Sequence, residues 1–358
     1  MHVYIGSYTS NGGEGIYQFS LDPSDGALKL QHVLAGVVNP SYLIIDAKGR
    51  NLYAVNEVDT YYGKPGGALS AFAIEPGSGQ LRFLNQQPSQ GGGPCHLALD
   101  KAGRFLMVAN YGGGNLAVFP VMPEGSLGPV AFRQIHEGSG PITSRQESPH
   151  PHFVSADPFN RHVLAVDLGI DRIMAYSFDA ERGSMRPAVS PFTTSKPGSG
   201  PRHLAFHPGG KWAYVIHELE ARVSHYAYNG LNGSLAEMQS VSCLPPESAG
   251  ENYGSGILVE PGGRFLYVSN RGHDSIAHFD IRPEDGSLAY AGYTGTRGKF
   301  PRHFTIEPSG RFLLAANQRS DSVSVFRIHP DTGSLEWTGH EVSVPSPVCV
   351  RVLDPLQR

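Results

Sequence analysis

Charged side chains stand at both ends of one strand–turn–strand unit, and their types suit acid–base chemistry. Arg202 and Glu218 lie almost symmetrically on either side of the Gly209-Gly210 turn, and His217 precedes the glutamate. Hairpin pairing brings the backbones of such residues together. A carboxylate beside an arginine keeps its charge and can take a proton from water, and an imidazole exchanges protons near neutral pH. Arg202 and Glu218 are therefore candidate catalytic residues.

Arginines at equivalent positions of other units indicate an anion site, although the chain is acidic overall with a formal net charge of −4. The three are Arg202, Arg271 and Arg302. Arginine forms bidentate, charge-assisted hydrogen bonds with carboxylate or phosphate groups. The alternative is that these arginines pair with carboxylates of the chain and fill the space between them. The candidate partners are Glu57, Asp167 and Glu218.

His152 falls at the same repeat position as Arg202 and is the second candidate for proton transfer. With His150 it also has the spacing of a metal-ligand pair on a strand, but no third ligand stands out, so neither a metal nor a cofactor is expected. The chain has no Gly-x-Ser-x-Gly motif, and none of its three cysteines has the context of a catalytic triad. Covalent catalysis is therefore disfavoured.

The elements that must position these residues are pairs of short strands in a repeated pattern. Residues 200–218 read as a strand, a tight turn and a second strand. Variants recur at 39–57, 93–111, 148–169, 254–271 and 300–318. The second apolar run of each unit, such as Phe105 to Ala109, is apolar on both faces and is expected to be covered on both sides. A repeat of roughly 50 residues marks an array of supersecondary units.

A second signal gives the number of units. A glycine followed by a small or polar residue and then Leu or Met recurs seven times, in turns typical of antiparallel hairpins. The glycines are Gly26, Gly79, Gly125, Gly183, Gly233, Gly286 and Gly333. Each unit is therefore a meander of four strands, A to D. The N-terminus begins with a strand B and the C-terminus ends with a strand A, followed by a turn over residues 354–358. The chain is predicted to be all-β: one seven-bladed β-propeller domain, residues 1–358, closed by its two termini.

In a propeller, the start of strand A and the end of strand B meet at one mouth of the central channel. Residues at and near these positions are the substrate-binding candidates: Arg271, Arg302, His217, His203, His150, Asn270, Glu57 and Asn110. Two long D–A segments without a strand pattern, residues 137–149 and 244–253, are expected at the same mouth. Loops of this length are more often functional than accidental.

Composition and charge exclude several classes of function. No basic stripe suggests a nucleic-acid surface, and no apolar run reaches the roughly 20 residues that span a bilayer. The N-terminal residues do not resemble a signal peptide, and Cys95, Cys243 and Cys349 are an odd number that suits a reducing cytoplasm. A cytoplasmic monomer or homodimer acting on a small molecule is expected.

Several motifs together resemble the seven-bladed propeller lactonase family over essentially the whole chain. They are Gly200-Pro-Arg-His-Leu-Ala-Phe-His-Pro208, His217-Glu-Leu219, Asn270-Arg-Gly-His-Asp-Ser275, Pro149-His-Pro-His152 and Val344-Pro-Ser-Pro-Val-Cys-Val350. The resemblance implies an enzyme that acts on an anionic lactone without a metal. By motif, the family's proposed histidine, arginine and glutamate fall on His152, Arg202 and Glu218. Arg271 is the better match for a further arginine, and Arg302 is a looser one.

The resemblance leads us to expect hydrolysis of 6-phospho-D-glucono-1,5-lactone in the pentose phosphate pathway. Glu218 or His152 would activate water, Arg202 would stabilise the oxyanion, and Arg271 or Arg302 would hold the phosphate. Two alternatives stay open. One is the reverse type of chemistry, that of a 3-carboxy-cis,cis-muconate lactonizing enzyme, which the same side chains could perform. The other is a non-catalytic propeller scaffold, which the charged mouth disfavours. A six-bladed calcium lactonase is opposed by the count of seven units.

Overall fold

The computed structural model describes residues 1–248 and 250–354. Their regular structure consists of thirty strands and one short 3₁₀ helix, Thr9–Asn11. The strands are β1 (His2–Ser7), β2 (Gly15–Leu21), β3 (Leu28–Ala35), β4 (Leu43–Ile45), β5 (Asn51–Asn56), β6 (Thr60–Tyr61), β7 (Lys64–Pro65), β8 (Ala68–Ile74), β9 (Leu81–Pro88), β10 (Pro94–Leu99), β11 (Phe105–Asn110), β12 (Asn115–Pro120), β13 (Phe132–Ile135), β14 (Pro151–Ala156), β15 (His162–Asp167), β16 (Arg172–Asp179), β17 (Ser184–Thr194), β18 (Pro201–Phe206), β19 (Trp212–His217), β20 (Arg222–Asn229), β21 (Ser234–Ser242), β22 (Tyr253–Val259), β23 (Phe265–Arg271), β24 (Ser275–Ile281), β25 (Leu288–Gly295), β26 (Pro301–Ile306), β27 (Phe312–Asn317), β28 (Ser322–Ile328), β29 (Leu335–Ser343) and β30 (Pro347–Leu353).

Seven four-stranded antiparallel sheets form the blades of a ring, as the repeat predicted. Six blades take their strands in chain order: β4-β5-β8-β9, β10-β11-β12-β13, β14-β15-β16-β17, β18-β19-β20-β21, β22-β23-β24-β25 and β26-β27-β28-β29. The long B–C connection of the first of these folds into the small hairpin β6-β7. The seventh blade has the order β3-β2-β1-β30 and so joins both ends of the chain.

The closing pair β1 and β30 is antiparallel, with His2 opposite Leu353 and Ser7 opposite Pro347. The predicted closure of the ring by the two termini is therefore confirmed. The turn expected after β30 falls mainly on residues 355–358, which lie outside the described residues. No helix in the described part of the chain is long and apolar enough to cross a bilayer.

The hydrophobic cores lie between neighbouring blades. In one of them, Leu164 and Val166 of β15 pack with Ala213 and Val215 of β19. The opposite face of β19 carries Tyr214, which belongs to the next core along the ring. The B strands are apolar on both faces because each one contributes to two cores. Full burial of one Val or Leu side chain contributes about 1.5–3 kcal/mol, so each interface adds substantially to the stability of the ring.

The seven C–D turn glycines all have positive φ, between 66° and 94°. That conformation favours glycine because it has no β-carbon. Four of the turns also accept a hydrogen bond from the preceding blade, in which a tyrosine hydroxyl of strand B donates to the glycine carbonyl. The pairs are Tyr4 with Gly79, Tyr53 with Gly125, Tyr214 with Gly286 and Tyr267 with Gly333, at 2.6–3.0 Å. The turn motif that counted the blades therefore also joins them.

Candidate active site

One mouth of the central channel holds a polar pocket of about 380 Å³. Its wall consists of Tyr8, Glu57, Cys95, Tyr111, Arg145, His152, Glu218, Tyr253, Arg271, Phe300, Arg302 and Gln318. Every blade contributes to this wall either at the start of strand A, at the end of strand B or from the connection before strand A. The pocket thus lies where the repeat pattern predicted that charged residues would meet.

A β-bulge at the start of strand A places three of the wall residues. In β10, β14 and β26 the register with strand B shifts by one residue, at Cys95, His152 and Arg302. A bulge redirects a side chain out of the ordinary alternation of a strand. Arg202 occupies the same bulge position in β18, but its side chain is only 2 % exposed and lies behind Glu218 instead of on the wall.

The ends of the B strands present two layers of residues with different roles. Glu57, Tyr111 and Glu218 directly follow their strands and face the pocket. The residue before each of them is buried and holds the D–A connection. Asn110 donates to the Ser89 carbonyl at 2.9 Å.

The structure places three of the substrate-binding candidates in this second layer. Asn110 and Asn270 donate to backbone carbonyls, the latter to Cys243 at 2.9 Å, and His217 bonds Ser199 at 3.1 Å and Ser224 at 2.9 Å. None of the three belongs to the pocket wall that the described residues form. The reason is strand alternation: adjacent residues point to opposite sides, and the wall takes the residue one position further on.

Glu218 lies at the centre of a cluster of guanidinium groups. Its Oε2 accepts from Arg202 Nε at 2.9 Å and from Arg271 Nη2 at 2.7 Å. Its Oε1 contacts Nη2 of Arg145. Arg202 Nη1 also donates to the Ser255 carbonyl at 3.0 Å, so most of this guanidinium serves the protein itself.

These contacts determine the charge states of the cluster. Burial alone would raise the pKa of Glu218, but Arg271, Arg202 and the other nearby positive charges hold it well below its usual value. Burial, followed by the charge of Arg271, lowers the pKa of Arg202 to about 9, so it stays protonated at neutral pH. Glu218 is therefore an anion, and guanidinium groups engage both of its oxygens.

Arg302 differs from the other arginines of the pocket. Among the described residues its guanidinium has no hydrogen bond and no ion pair, and it lies over the Tyr8 ring at 5.5 Å from the centroid. The Tyr8 hydroxyl instead donates to Glu57 at 2.9 Å. The cluster thus holds four guanidinium groups against the two carboxylates Glu57 and Glu218, a formal excess of two positive charges.

The alternative in which carboxylates neutralise all the arginines is therefore only partly correct. Glu218 pairs with Arg202 and Arg271, as that alternative required. Asp167 lies elsewhere: it contacts His136 Nδ1 at 2.6 Å and accepts from the His150 amide at 2.7 Å. The pocket remains open and positively charged.

His152 is buried beside the pocket, with Nδ1 3.7 Å from the sulfur of Cys95. No described residue forms a hydrogen bond with its Nε2. Burial and the charge of Arg202 hold the pKa of His152 well below its usual value, although Glu218 opposes the shift. The ring is therefore neutral at physiological pH and has a lone pair available. Burial likewise raises the pKa of the Cys95 thiol, so this cysteine is not a thiolate.

Two further histidine candidates lie outside the pocket wall. His150 stacks on Tyr111 at 4.3 Å between centroids, and its Nε2 is 3.0 Å from Glu147. His203 lies deeper in the channel, beside a second cavity of about 210 Å³, with Nε2 3.2 Å from Arg202 Nη1. His150 thus supports the wall residue Tyr111, and His203 lies 5.2 Å from the wall residue His152 between ring centroids. No group of three or more metal-ligating side chains suited to a metal ion occurs among residues 1–248 and 250–354.

Sequence reasoning missed Arg145, Tyr253 and Phe300. Arg145 belongs to the D–A segment 137–149, and Tyr253 ends the D–A segment 244–253. Each was identifiable in principle, because Arg145 is the sole basic residue and Tyr253 the sole aromatic residue of its segment. Both D–A segments lie at the pocket mouth, as predicted, and each contributes one side chain to the wall.

Comparison with known proteins gives consistent results over nearly the whole chain. The family model described as "Lactonase, 7-bladed beta-propeller" matches residues 2–352. The 6-phosphogluconolactonase of Bacillus subtilis (strain 168) is 40 % identical over 98 % of this chain and 97 % of its own. The 6-phosphogluconolactonase of Formosa agariphila is 35 % identical over 85 % and 86 % of the two chains.

A solved structure also matches this chain over nearly its whole length. The Pseudomonas aeruginosa periplasmic gluconolactonase superposes with a TM-score of 0.92 at 35 % identity, covering 98 % of each chain.

Proposed function

Because the chain belongs to the seven-bladed β-propeller lactonase family, we propose that it hydrolyses 6-phosphogluconolactone to 6-phosphogluconate. The observation that carries the proposal is the charge of the pocket. Four guanidinium groups stand against two carboxylates, so the cluster has a formal excess of two positive charges. A sugar lactone with a phosphate dianion complements that excess, since guanidinium groups bind phosphate through charge-assisted hydrogen bonds.

His152 is the general base of the proposed mechanism. Its ring is neutral and its Nε2 is free among the described residues, whereas both oxygens of Glu218 already accept from arginines. His152 takes a proton from water as the water oxygen attacks the lactone carbonyl carbon. It then returns the proton to the ring oxygen when the carbon–oxygen bond of the lactone breaks. General base catalysis contributes about 10²–10⁴-fold, which is adequate for an ester that also opens spontaneously.

The arginines divide between the carbonyl and the phosphate of the substrate. Arg302 lines the same pocket as His152 from an equivalent bulge, so we assign its guanidinium to the oxyanion that develops at the carbonyl. Arg202 is buried behind Glu218 and acts as a positioning residue for that carboxylate. This assignment replaces the expected oxyanion role of Arg202. The arginines around Glu218 then face the phosphate end.

The test is a comparison of lactones with the purified enzyme, after subtraction of spontaneous hydrolysis. We expect a higher kcat/KM for 6-phosphogluconolactone than for glucono-1,5-lactone, and no change on addition of a chelator. His152→Gln should lower kcat by about 100-fold or more. Equal activity of this variant and the wild type in a folded protein would refute the mechanism. Failure of the wild type to accelerate opening of either lactone would refute the function.

A lactone without phosphate is the second candidate substrate, because the Pseudomonas aeruginosa protein is named a gluconolactonase. The same comparison of two lactones decides between them. Muconate lactonization is not favoured, since the relatives named here are lactonases that open a ring. Carboxymuconate can be included in the assay to test that alternative.

We also propose that the enzyme acts in the cytoplasm as a monomer or homodimer. A phosphate dianion does not cross a bilayer unaided, so the substrate supports this location. All seven blades of one ring contribute to the pocket wall, which supports activity of a single protomer. Cell fractionation and light scattering test the two statements.

A further inference from the structure

Arg145 has a different environment from the other arginines that hold Glu218. Its side chain is 33 % exposed, whereas those of Arg202 and Arg271 are 2 % and 6 % exposed. Its guanidinium lies 5.8 Å from the centre of the Tyr253 ring, which is contributed by the other D–A segment. Arg145 therefore occupies the solvent side of the cluster, at the mouth of the pocket.

The ion pairs of Glu218 are arranged so that Arg145 alone can leave. Oε2 binds both Arg202 and Arg271, while Oε1 binds Arg145. If Arg145 moves away, the buried carboxylate keeps two guanidinium partners. If Arg202 or Arg271 moved instead, a guanidinium that is itself nearly fully buried would be left without its carboxylate, which is strongly unfavourable. The Arg145–Glu218 ion pair can therefore break while Arg202 and Arg271 continue to hold the carboxylate.

The backbone that carries Arg145 is held firmly, so the movement is confined to its side chain. The Arg145 amide donates to the Ile142 carbonyl at 2.9 Å, and the neighbouring Gln146 amide does so at 2.7 Å. The Gln146 side chain is fully buried and donates to the Leu168 carbonyl at 2.8 Å. The D–A segment 137–149 is therefore anchored to the blade that carries His152.

The position of Arg145 suits the end of the substrate that does not react. Arg145 contacts Glu218 from the solvent side, whereas His152 stands at the bulge of β14 beside Cys95. In the 1,5-lactone the carbonyl carbon C1 and C5 flank the ring oxygen, and the phosphate is carried outside the ring on C6. With the carbonyl at His152, a phosphate on this exocyclic arm can reach a guanidinium on the solvent side of Glu218.

We propose that Arg145 recognises the substrate phosphate and sets the preference for a phosphorylated lactone, an inference that rests on the proposed lactonase function. The guanidinium exchanges Glu218 Oε1 for a phosphate oxygen when substrate binds. The ion pair between Arg145 and the phosphate replaces the ion pair between Arg145 and Glu218, so the exchange costs little free energy and the dianionic ligand is bound. Arg145 is in this sense a specificity-determining residue.

The experiment compares wild type, Arg145→Gln and Arg145→Lys on both lactones, and measures the binding of 6-phosphogluconate and of gluconate by calorimetry. In Arg145→Gln, the ratio of kcat/KM for the phosphorylated to the unphosphorylated lactone should fall about 10–100-fold, mainly through KM, as for loss of one charged hydrogen bond. The Kd of 6-phosphogluconate should rise by a similar factor. Arg145→Lys should lie in between, because it keeps the charge but not the bidentate geometry. Arg82→Gln is the matched control, since Arg82 pairs with Glu75 on the surface outside the pocket.

The outcomes separate this inference from the proposed function. An unchanged ratio in Arg145→Gln, or an equal loss for both lactones, overturns the role of Arg145 while the lactonase function stands. A wild-type enzyme that opens neither lactone overturns the function. In that case, unchanged binding of 6-phosphogluconate in Arg145→Gln also overturns the phosphate site.

Discussion

At the scale of single residues, the pH dependence of the reaction reports the state of His152. Burial and the charge of Arg202 lower its pKa, so the neutral form that acts as base persists below the usual histidine pKa of about 6.5. We expect kcat/KM to stay level from pH 8 to pH 6 and to fall only at lower pH. The measurement is a pH profile on glucono-1,5-lactone, which has no titrating phosphate, corrected for spontaneous opening. A decline centred near pH 6.5 would contradict a base whose pKa is lowered by burial.

Glu218 gives a second prediction, on stability. Glu218→Gln leaves Arg202 and Arg271 buried without their counter-ion, which should lower the free energy of unfolding by about 3–5 kcal/mol. The pKa of Glu218 is depressed in the folded protein, so its contribution is present above about pH 4.5 and is lost as the pH falls through the lowered value. Urea unfolding at pH 7 measures the loss, with His152→Gln as control. Added phosphate should restore part of the stability of the glutamine variant, and no restoration would argue against an anion site.

The repeat position of the site residues was predictable, but the direction of their side chains was not. His152 and Arg202 were expected at the same repeat position, the start of strand A, and they stand there at the bulges. Whether a bulge residue reaches the wall depends on the partner it meets, and Arg202 meets Glu218 behind the wall. A shift of one residue likewise separates Asn110 from the wall residue Tyr111. Such shifts follow from local strand register, which the sequence pattern specifies only to within a residue or two.

At the scale of elements, a turn glycine with positive φ should tolerate replacement by alanine better where no neighbouring side chain occupies the space of the new β-carbon. Gly286 has φ +75°, and a β-carbon there would lie 2.3 Å from the Trp212 ring. Gly310 has φ +78° in an A–B turn with nothing within 4 Å. Both substitutions to alanine carry the strain of positive φ, about 1–2 kcal/mol, but Gly286→Ala adds overpacking of about 1–3 kcal/mol. Denaturant unfolding of the two variants should show this difference, and equal losses would mean that the turn does not pack on the neighbouring blade as described.

The elements themselves were largely predictable, because each strand is a short apolar run between turn residues and the pattern recurs seven times. The location of the D–A segments at the mouth was predictable, but the side chains that they contribute to the pocket wall were not. Their backbone has no regular periodicity, so the sequence does not indicate that Arg145 and Tyr253 point into the pocket. Their contacts arise only when the ring brings two distant segments to one mouth.

At the scale of the whole molecule, the closing strand should be essential, but its position in the chain should not be. Deletion of residues 344–358 removes β30, which exposes the edge of β1 and takes Val350 out of the core between the seventh blade and the β26-β27-β28-β29 blade. We expect the truncated protein to lack a cooperative unfolding transition and lactonase activity.

Because Leu353 lies opposite His2, the same residues 344–358 placed before Met1 can form an ordinary A–B hairpin with β1. This circular permutant should fold and keep activity within about threefold, with only a modest loss of stability, since loop-closure entropy changes slowly with connection length. Circular dichroism during heating and the lactone assay compare the two variants. An active truncated protein would show that the ring does not depend on its closing strand, and an inactive, unfolded permutant would show that the order of strands matters beyond their pairing.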